Sequence, residues 1–587
     1  MTSQRTQSIE ADAASRPTHK TSDEKTDLEI SEILAGNSDR NPGMPPVIPM
    51  GTNTGGIVTS EEYLTEKEQR EQDLKASGYH EFKWSSLWKP AVINPLNGRS
   101  MTFPLFRFWD VYSTAFWLAT LGFFVAFLSW FAFSPLMPEA VKDDLKLTQA
   151  QVTNANMASL GGTAIVRLAA GPACDRYGPR KVLATLLILG AIPSGMAALV
   201  TNIQGLEAVR FFISLLGGTF VATTAYTATF FNSNIVGTAN AFAGGWGNLG
   251  GGVTVVVMIA TFLKLKAVGF TADRAWRLSF PIVPVPCLLF VAGLILLFGK
   301  DHPAGKWSQR HQLDGTAIAI AQGEEVKLDS AEMAHYQQQQ NDREKAPVKT
   351  SDFRMPEPSQ ETKVVPAMET AQSEPLTMRA LLDILSNLRV WMCIVSYCLT
   401  FGLETAMDAA LPGLMTTLFK SATFSVEDAA YAASTYGLLN IYARPLGGIV
   451  SDIVYARWGL RARVWVLLIT AISQGLGMIG MGLYCNYHPN PTVGGVIGFI
   501  VLIATTGFMA NGAVYGVVPF TSPRNVGTAS GLVGAAGNVG GLFYTLIYRY
   551  LPGTRANRDL GTKFWVAGVV NAGALLPFVF IPWDNKA

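Results

Sequence analysis

Residues 167–181 read Arg167-Leu-Ala-Ala-Gly171-Pro-Ala-Cys-Asp175-Arg176-Tyr-Gly178-Pro-Arg180-Lys181. The arginine stands inside an apolar run, and the run ends in a charged turn. The frame Arg-x3-Gly-x3-Asp recurs as Arg444-x3-Gly448-x3-Asp452 inside a second apolar run. One arginine at the centre of a bilayer-spanning helix costs at least about 2.5–3.5 kcal/mol. Two in matching frames, 444 − 167 = 277 residues apart, point to an internal duplication around a buried anion.

Composition supports a membrane setting. The chain has 587 residues, 49% hydrophobic and 15% charged, with a mean hydropathy of +0.25. These values exclude an ordinary soluble enzyme and call for many membrane spans. A net charge of +2 gives no reason to expect a nucleic-acid partner. The five cysteines (Cys174, Cys287, Cys393, Cys398, Cys485) lie mostly in apolar runs without disulfide or zinc spacing. They read as packing residues, and neither a metal nor a cofactor is expected. The N-terminus lacks the apolar core of a signal peptide, so the first span is expected to serve as insertion signal.

Residues 1–105 are polar and read as a largely disordered cytoplasmic extension, apart from a charged helix near Ser60–Leu74. Six apolar runs between 113 and 299 form a first bundle (106–300). A polar cytoplasmic loop (301–385) follows, and six more runs between 389 and 583 form a second bundle (386–587). Each run is long enough to cross about 30 Å of hydrocarbon as a helix. The expected fold is an all-α membrane protein of twelve transmembrane helices in two six-helix bundles. Basic turns follow the second span of each half (Arg176, Arg180, Lys181; Arg457, Arg461, Arg463), and an acidic loop follows the first span. The positive-inside rule therefore puts both termini in the cytoplasm, although the basic Arg549–Lys563 segment would face outward.

Three constellations carry chemistry. Arg167 and Arg444 each lie eight residues before an aspartate that ends the span, about 12 Å at 1.5 Å per residue. Both reach the bilayer midplane, where a guanidinium fork suits a small oxyanion or a structural acid partner. A second repeat aligns Val236–Gly251 with Val526–Gly541 at an offset of 538 − 248 = 290. Its glycines read as helix-packing surfaces. Its asparagines, Asn248 and Asn538, either donate to an anion or tie helices together. On the seventh span, Tyr397, Phe401, Glu404 and Asp408 share one face. The two acids are either salt-bridge partners of the arginines or a proton site, since an acid in low dielectric holds its proton to higher pH.

Gly171–Lys181 resembles the signature loop of the major facilitator superfamily, G-x3-D-R-x-G-x-R-K. GGWGNLGGG (244–252) and GAAGNVGG (534–541) are similar to the two signatures of its nitrate/nitrite porters. FLSWFAFSPL (127–136) and the long central loop are similar to fungal members. The resemblance covers about residues 80–587. It implies alternating access, with nitrate held between Arg167 and Arg444 and supported by Tyr397 and Phe401. It places Phe127 and Phe220 as the aromatic pair that sandwiches the anion. Asp175, Arg176 and Arg180 are expected to latch the bundles on the cytoplasmic side. Asp452 does so more weakly, because its turn lacks the full motif.

Two arginines and two acids leave an unloaded site near neutrality. Protonation of Glu404 or Asp408 would then free an arginine, which favours proton symport over nitrate/nitrite exchange. The partners expected are nitrate, nitrite, protons and the lipid bilayer, in a plasma-membrane setting. Regulatory cytoplasmic proteins acting on the polar segments are the further possibility. A nitrate sensor with little net transport is the competing class, and phosphate is the competing oxyanion. An enzyme is disfavoured because no nucleophile, metal cluster or nucleotide motif lies on a soluble domain.

Overall fold

The computed structural model describes residues 83–93, 98–303, 305–308, 374–419, 426–551 and 559–581. The extension through residue 82, with its expected charged helix, and most of the central loop (309–373) lie outside the described residues. So does the middle of the outward-facing basic segment, residues 552–558.

Among the described residues, twelve long helical segments follow one another, six on each side of the central loop. In the first half they are α1 (Val111–Trp130), α2 (Gln149–Tyr177), α3 (Pro179–Met196), α4 (Ile203–Phe230), α5 (Val236–Ala267) and α6 (Ala272–Phe298). In the second they are α7 (Leu388–Phe419), α8 (Val426–Leu438 continued by Asn440–Trp458), α9 (Leu460–Tyr487), α10 (Val493–Thr521), α11 (Val526–Tyr550) and α12 (Thr562–Leu575). Among the described residues, ten spans are long and apolar enough to cross a membrane. The remaining two, α2 and α8, are the pair that carries Arg167 and Arg444.

Local sequence sets the ends. Thr148 and Gln151 form a reciprocal capping box at the start of α2. Gly178 (φ 92°) ends α2 and opens α3 at Pro179, and Gly459 (φ 80°) does the same between α8 and α9. Both turns need positive φ, which glycine adopts at little cost. The second half thus keeps the turn even where its charged residues differ. Within α4 the chain tightens into a 3-10 segment at Ser214–Gly218, and Pro284 marks the break within α6 at Val283.

The halves meet in backbone contact. A Cβ on Gly171 of α2 would stand 2.6 Å from the Gly527 carbonyl of α11, and one on Gly448 of α8 would collide with the Gly237 carbonyl of α5. Because 527 − 237 = 290, these are the same crossing repeated. Side chains larger than hydrogen would hold the helices apart.

The packed chain begins before the expected boundary at residue 105. Ser100, Met101, Phe103 and Leu105 are buried. Ser100 N–H donates to the Phe230 carbonyl, and Asn232 N–H donates back to Ser100, each at 2.9 Å. Asn234 Nδ2 donates 2.8 Å to the Met101 carbonyl. The segment before α1 is thus strapped to the α4–α5 loop. Before α7 the same device recurs on the α10–α11 loop. There Glu374 N–H donates to Arg524 (2.9 Å), Asn525 Nδ2 to Glu374 (2.7 Å) and Asn387 Nδ2 to Thr521 (3.1 Å).

Candidate functional site

Arg167 and Arg444 are among the largest fully buried side chains. Each reaches across the boundary between halves. Arg167 Nη1 donates 2.7 Å to the Gly534 carbonyl of α11, and Arg444 Nη1 donates 3.3 Å to the Gly244 carbonyl of α5. The acceptors lie 534 − 244 = 290 residues apart, and each precedes its motif asparagine by four residues. A Cβ at Gly534 would crowd Arg167 at 3.2 Å, whereas one at Gly244 would make only ordinary contact with Arg444 at 3.5 Å.

The two arginines differ in what else they hold. Arg444 Nη2 is 3.2 Å from Glu404 Oε2. Arg167 Nε donates 2.9 Å to the Gly217 carbonyl, in the 3-10 segment of α4. Its Nη2 has no hydrogen-bond partner among the described residues. The expected neutral pairing of two arginines with two acids is therefore only half realised. Asp408 is exposed, one turn from Glu404 on the same face of α7, and forms none of the ion pairs found among the described residues that involve the arginines. One positive charge is left over at the centre.

Three rings frame that charge. Tyr397 and Phe401 stack at 5.0 Å and 7°, and Phe220 lies parallel to Tyr397 at 6.0 Å and 8°. The Arg167 guanidinium sits 5.0 Å from the Phe220 centroid and 5.5 Å from that of Phe401, and Arg444 sits 6.0 Å from the same Phe401 ring. Both guanidiniums thus face one aromatic surface, an arrangement that favours flat cations and flat anions alike. Gly537 gives the stack its backing, since a Cβ there would touch both Tyr397 and Phe401 at less than 3 Å.

Tyr515 of α10 is a member that sequence reasoning missed. Its ring stands edge-on to Phe220 (4.9 Å) and Tyr397 (5.1 Å). The hydroxyls of Tyr397 and Tyr515 and Arg444 Nε are buried without partners among the described residues. Such unused donors are costly unless something accepts from them. Asn440 and Asn511 were also missed, and both hold Glu404, donating to it at 2.8 and 2.7 Å. Each is a lone amide outside the glycine repeat that singled out Asn248 and Asn538.

The other expected residues fall as follows. Asn538 is buried and donates 3.1 Å to the same Gly534 carbonyl that Arg167 uses, leaving its Oδ1 open. Asn248 is half-buried with an open Oδ1. Phe127 does not reach the ring stack. It packs on Phe123, Trp130 and Phe131, while Phe123, one turn earlier, contacts Phe220 at 5.2 Å.

Of the residues expected to latch the bundles, the two aspartates contact the opposite half and the two arginines do not do so among the described residues. Asp175 accepts from Gly527 N–H (2.9 Å), Thr528 N–H (2.8 Å) and Thr528 Oγ1 (2.7 Å) at the start of α11. Asp452 accepts from Gly237 and Thr238 N–H (3.2 and 2.5 Å) at the start of α5. Each carboxylate thus meets the positive end of a helix from the opposite half. Arg176 is exposed over the Tyr177 ring, and Arg180 pairs with Asp301 at 2.6 Å within the first half, so neither crosses the boundary. The second aspartate also has a cationic partner. Arg463, fully buried over the Tyr455 ring (4.1 Å), bonds Asp452 together with the Ser233 and Gly516 carbonyls.

Two halves, repeated crossings and a charged site at the boundary define a membrane transporter, and comparison with known proteins agrees. The Major Facilitator Superfamily model matches residues 119–583. Similar proteins include the high affinity nitrate transporter 2.5 of Arabidopsis thaliana (30% identical, covering 82% of each chain). Nitrate transporter 2.2 of Chlamydomonas reinhardtii is 31% identical over 76% of this chain and 74% of that protein. Among solved structures, the E. coli fucose:proton symporter aligns with a TM-score of 0.53 at 13% identity, over 79% of this chain and 99% of that one. A proton:xylose symporter aligns at 0.55 and 15%, over 80% and 96%. The chain belongs to the major facilitator superfamily and, within it, to the family of nitrate transporters.

Proposed function

We propose that this chain carries nitrate, and nitrite, across the plasma membrane by alternating access, with the anion bound between Arg167 and Arg444 and a proton taken up at Glu404. The observation that carries the reading is the unpaired charge of Arg167 beside three parallel rings and unused donors. A singly charged, planar, weakly hydrated anion matches that charge and can accept from the Arg167 Nη2 and the tyrosine hydroxyls. A tetrahedral dianion such as phosphate would bring excess charge and bulk against the rings.

Glu404 is the acid placed to couple. It shares Arg444 with the incoming anion, so its protonation releases the second guanidinium. Asp408, one turn on and exposed, is the entry acid. The latches at Asp175 and Asp452 close the side of the basic turns, which we assign to the cytoplasm together with both termini. The two bundles, 106–300 and 386–587, then rock about the site. The straps before α1 and α7 are where cytoplasmic proteins would act.

Uptake of labelled nitrate by purified protein in vesicles, with nitrite, chlorate and phosphate as competitors and a pH gradient imposed or collapsed, tests this. Competition by nitrite and chlorate but not phosphate, with uptake driven by the pH gradient, is expected. Binding without flux would instead support a sensor, and flux indifferent to the gradient would support exchange.

A further inference from the structure

Glu404 lies in a set of hydrogen bonds whose directions can be worked out atom by atom. Its Oε1 accepts from Asn440 Nδ2 (2.8 Å), and its Oε2 accepts from Asn511 Nδ2 (2.7 Å) and Arg444 Nη2 (3.2 Å). All three partners are donors, so the arrangement fits the carboxylate and leaves no acceptor for a carboxylic acid proton. The charged and titratable groups around it are Arg444 on α8, Asp408 one turn along α7, and Tyr436 in the first segment of α8. Arg167, Tyr397 and Tyr515 lie beyond Phe401.

The two amides are not equivalent. Asn511 Oδ1 is 2.7 Å from Thr400 Oγ1, which is also 2.8 Å from the Ser396 carbonyl. Thr400 has one hydroxyl proton. While it points at Asn511, the amide is fixed with its nitrogen toward Glu404. If it points at Ser396 instead, Asn511 can turn over and offer its oxygen to Glu404. Asn440 Oδ1 is buried with no partner among the described residues. Its present orientation leaves an acceptor idle, which a protonated Glu404 would fill. Isolated buried acceptors of this kind are costly.

We propose that Asn440 and Asn511 are positioning residues that give Glu404 two hydrogen-bond registers, one for each protonation state, with Thr400 setting the choice at Asn511. In the charged register both amides donate and Arg444 is retained. When a proton from solution adds to Oε1, Asn440 turns over to accept it while Asn511 goes on donating to Oε2; when it adds to Oε2 instead, Asn511 turns over as Thr400 swings to Ser396 and Asn440 goes on donating, and in either case the lost charge loosens Arg444. This inference rests on the proton-coupled reading of Glu404 and assigns the parts that make its switch two-state.

The test follows the carboxylic acid C=O stretch of Glu404 by infrared spectroscopy against pH in purified full-length protein, assigned with Glu404→Gln. It is paired with the pH profile of nitrate uptake. Asn511→Leu removes one donor to the charged form and should move the infrared midpoint upward by about one pH unit, the size expected for a single hydrogen bond to a charged group. Thr400→Val, a milder change in shape, should move it the same way by less. Midpoints unchanged in both variants would overturn the proposal. In Asn440→Leu the acid proton loses its acceptor, so the C=O stretch of protonated Glu404 should rise in frequency; an unchanged frequency would overturn the two registers, and shifted midpoints with uptake indifferent to pH would overturn proton symport.

Discussion

Arg167 donates to the carbonyl of Gly534, four residues before Asn538, and so ties α2 of the first half to the glycine segment of α11 in the second. Arg444 and Gly244 repeat the contact in the opposite sense. Each half therefore supplies a cation and also the backbone oxygen that steadies its partner's cation. Removing either arginine takes a donor from a carbonyl in the other half, and removing Arg444 also strands the Glu404 carboxylate.

Arg167→Lys tests the planar fork. Lysine keeps the charge but cannot hold Gly217 and Gly534 while presenting a free N–H to the anion. The KM for nitrate should rise about 10-fold or more, the scale of one charge-assisted hydrogen bond, with the protein still inserted. Uptake kinetics at fixed pH measure this.

Asp452→Ala should be the more damaging to stability among changes at the latch, because it strands Arg463. Breaking a buried ion pair by removing one partner costs about 3–5 kcal/mol. The expected reading is a clear loss of Tm in detergent, smaller for Asp452→Asn, which keeps an acceptor oxygen toward Gly237 and Thr238.

Gly171→Val would force α2 from α11 at the carbonyl of Gly527. The latched state should become inaccessible and uptake should fall to background while surface expression persists. Gly161→Ala on the same helix, where a Cβ meets nothing within 4 Å, should transport normally.

Asn234→Ala and Asn525→Ala each remove one hydrogen bond from a strap. The loss per hydrogen bond is modest, about 1 kcal/mol, but it falls on the loop that feeds a latch. In a protein whose only cysteine is Cys174, buried beside Asp175, alkylation from the latch side should be several-fold faster in these variants than in the parent.

Much of the site was legible because helical spacing is rigid. Tyr397, Phe401 and Glu404 fall on one face of α7 by arithmetic, and the two repeats fixed the arginines and the latch aspartates. What sequence could not supply was which partner each group chooses. Glu404 took Arg444 and left Arg167 unpaired, a choice made by Asn440 and Asn511 arriving from two other helices. Phe123 displaced Phe127 because Gly247 leaves room for its ring alone. Arg463, legible only as a basic turn residue, became the buried anchor of the second latch. Arg180 turned to Asp301 instead, because the residues after α6 come back beneath its own turn.

The straps have a consequence for how such a molecule can be governed. The segment that enters each half is hydrogen-bonded to the loop whose next residues receive Asp452 or Asp175, so a pull on either segment would bear on one of those contacts. A charge added near either strap would reset the preload on a hinge while the anion's own contacts stayed as they were. Flux could then be throttled without any change in what the transporter prefers to carry.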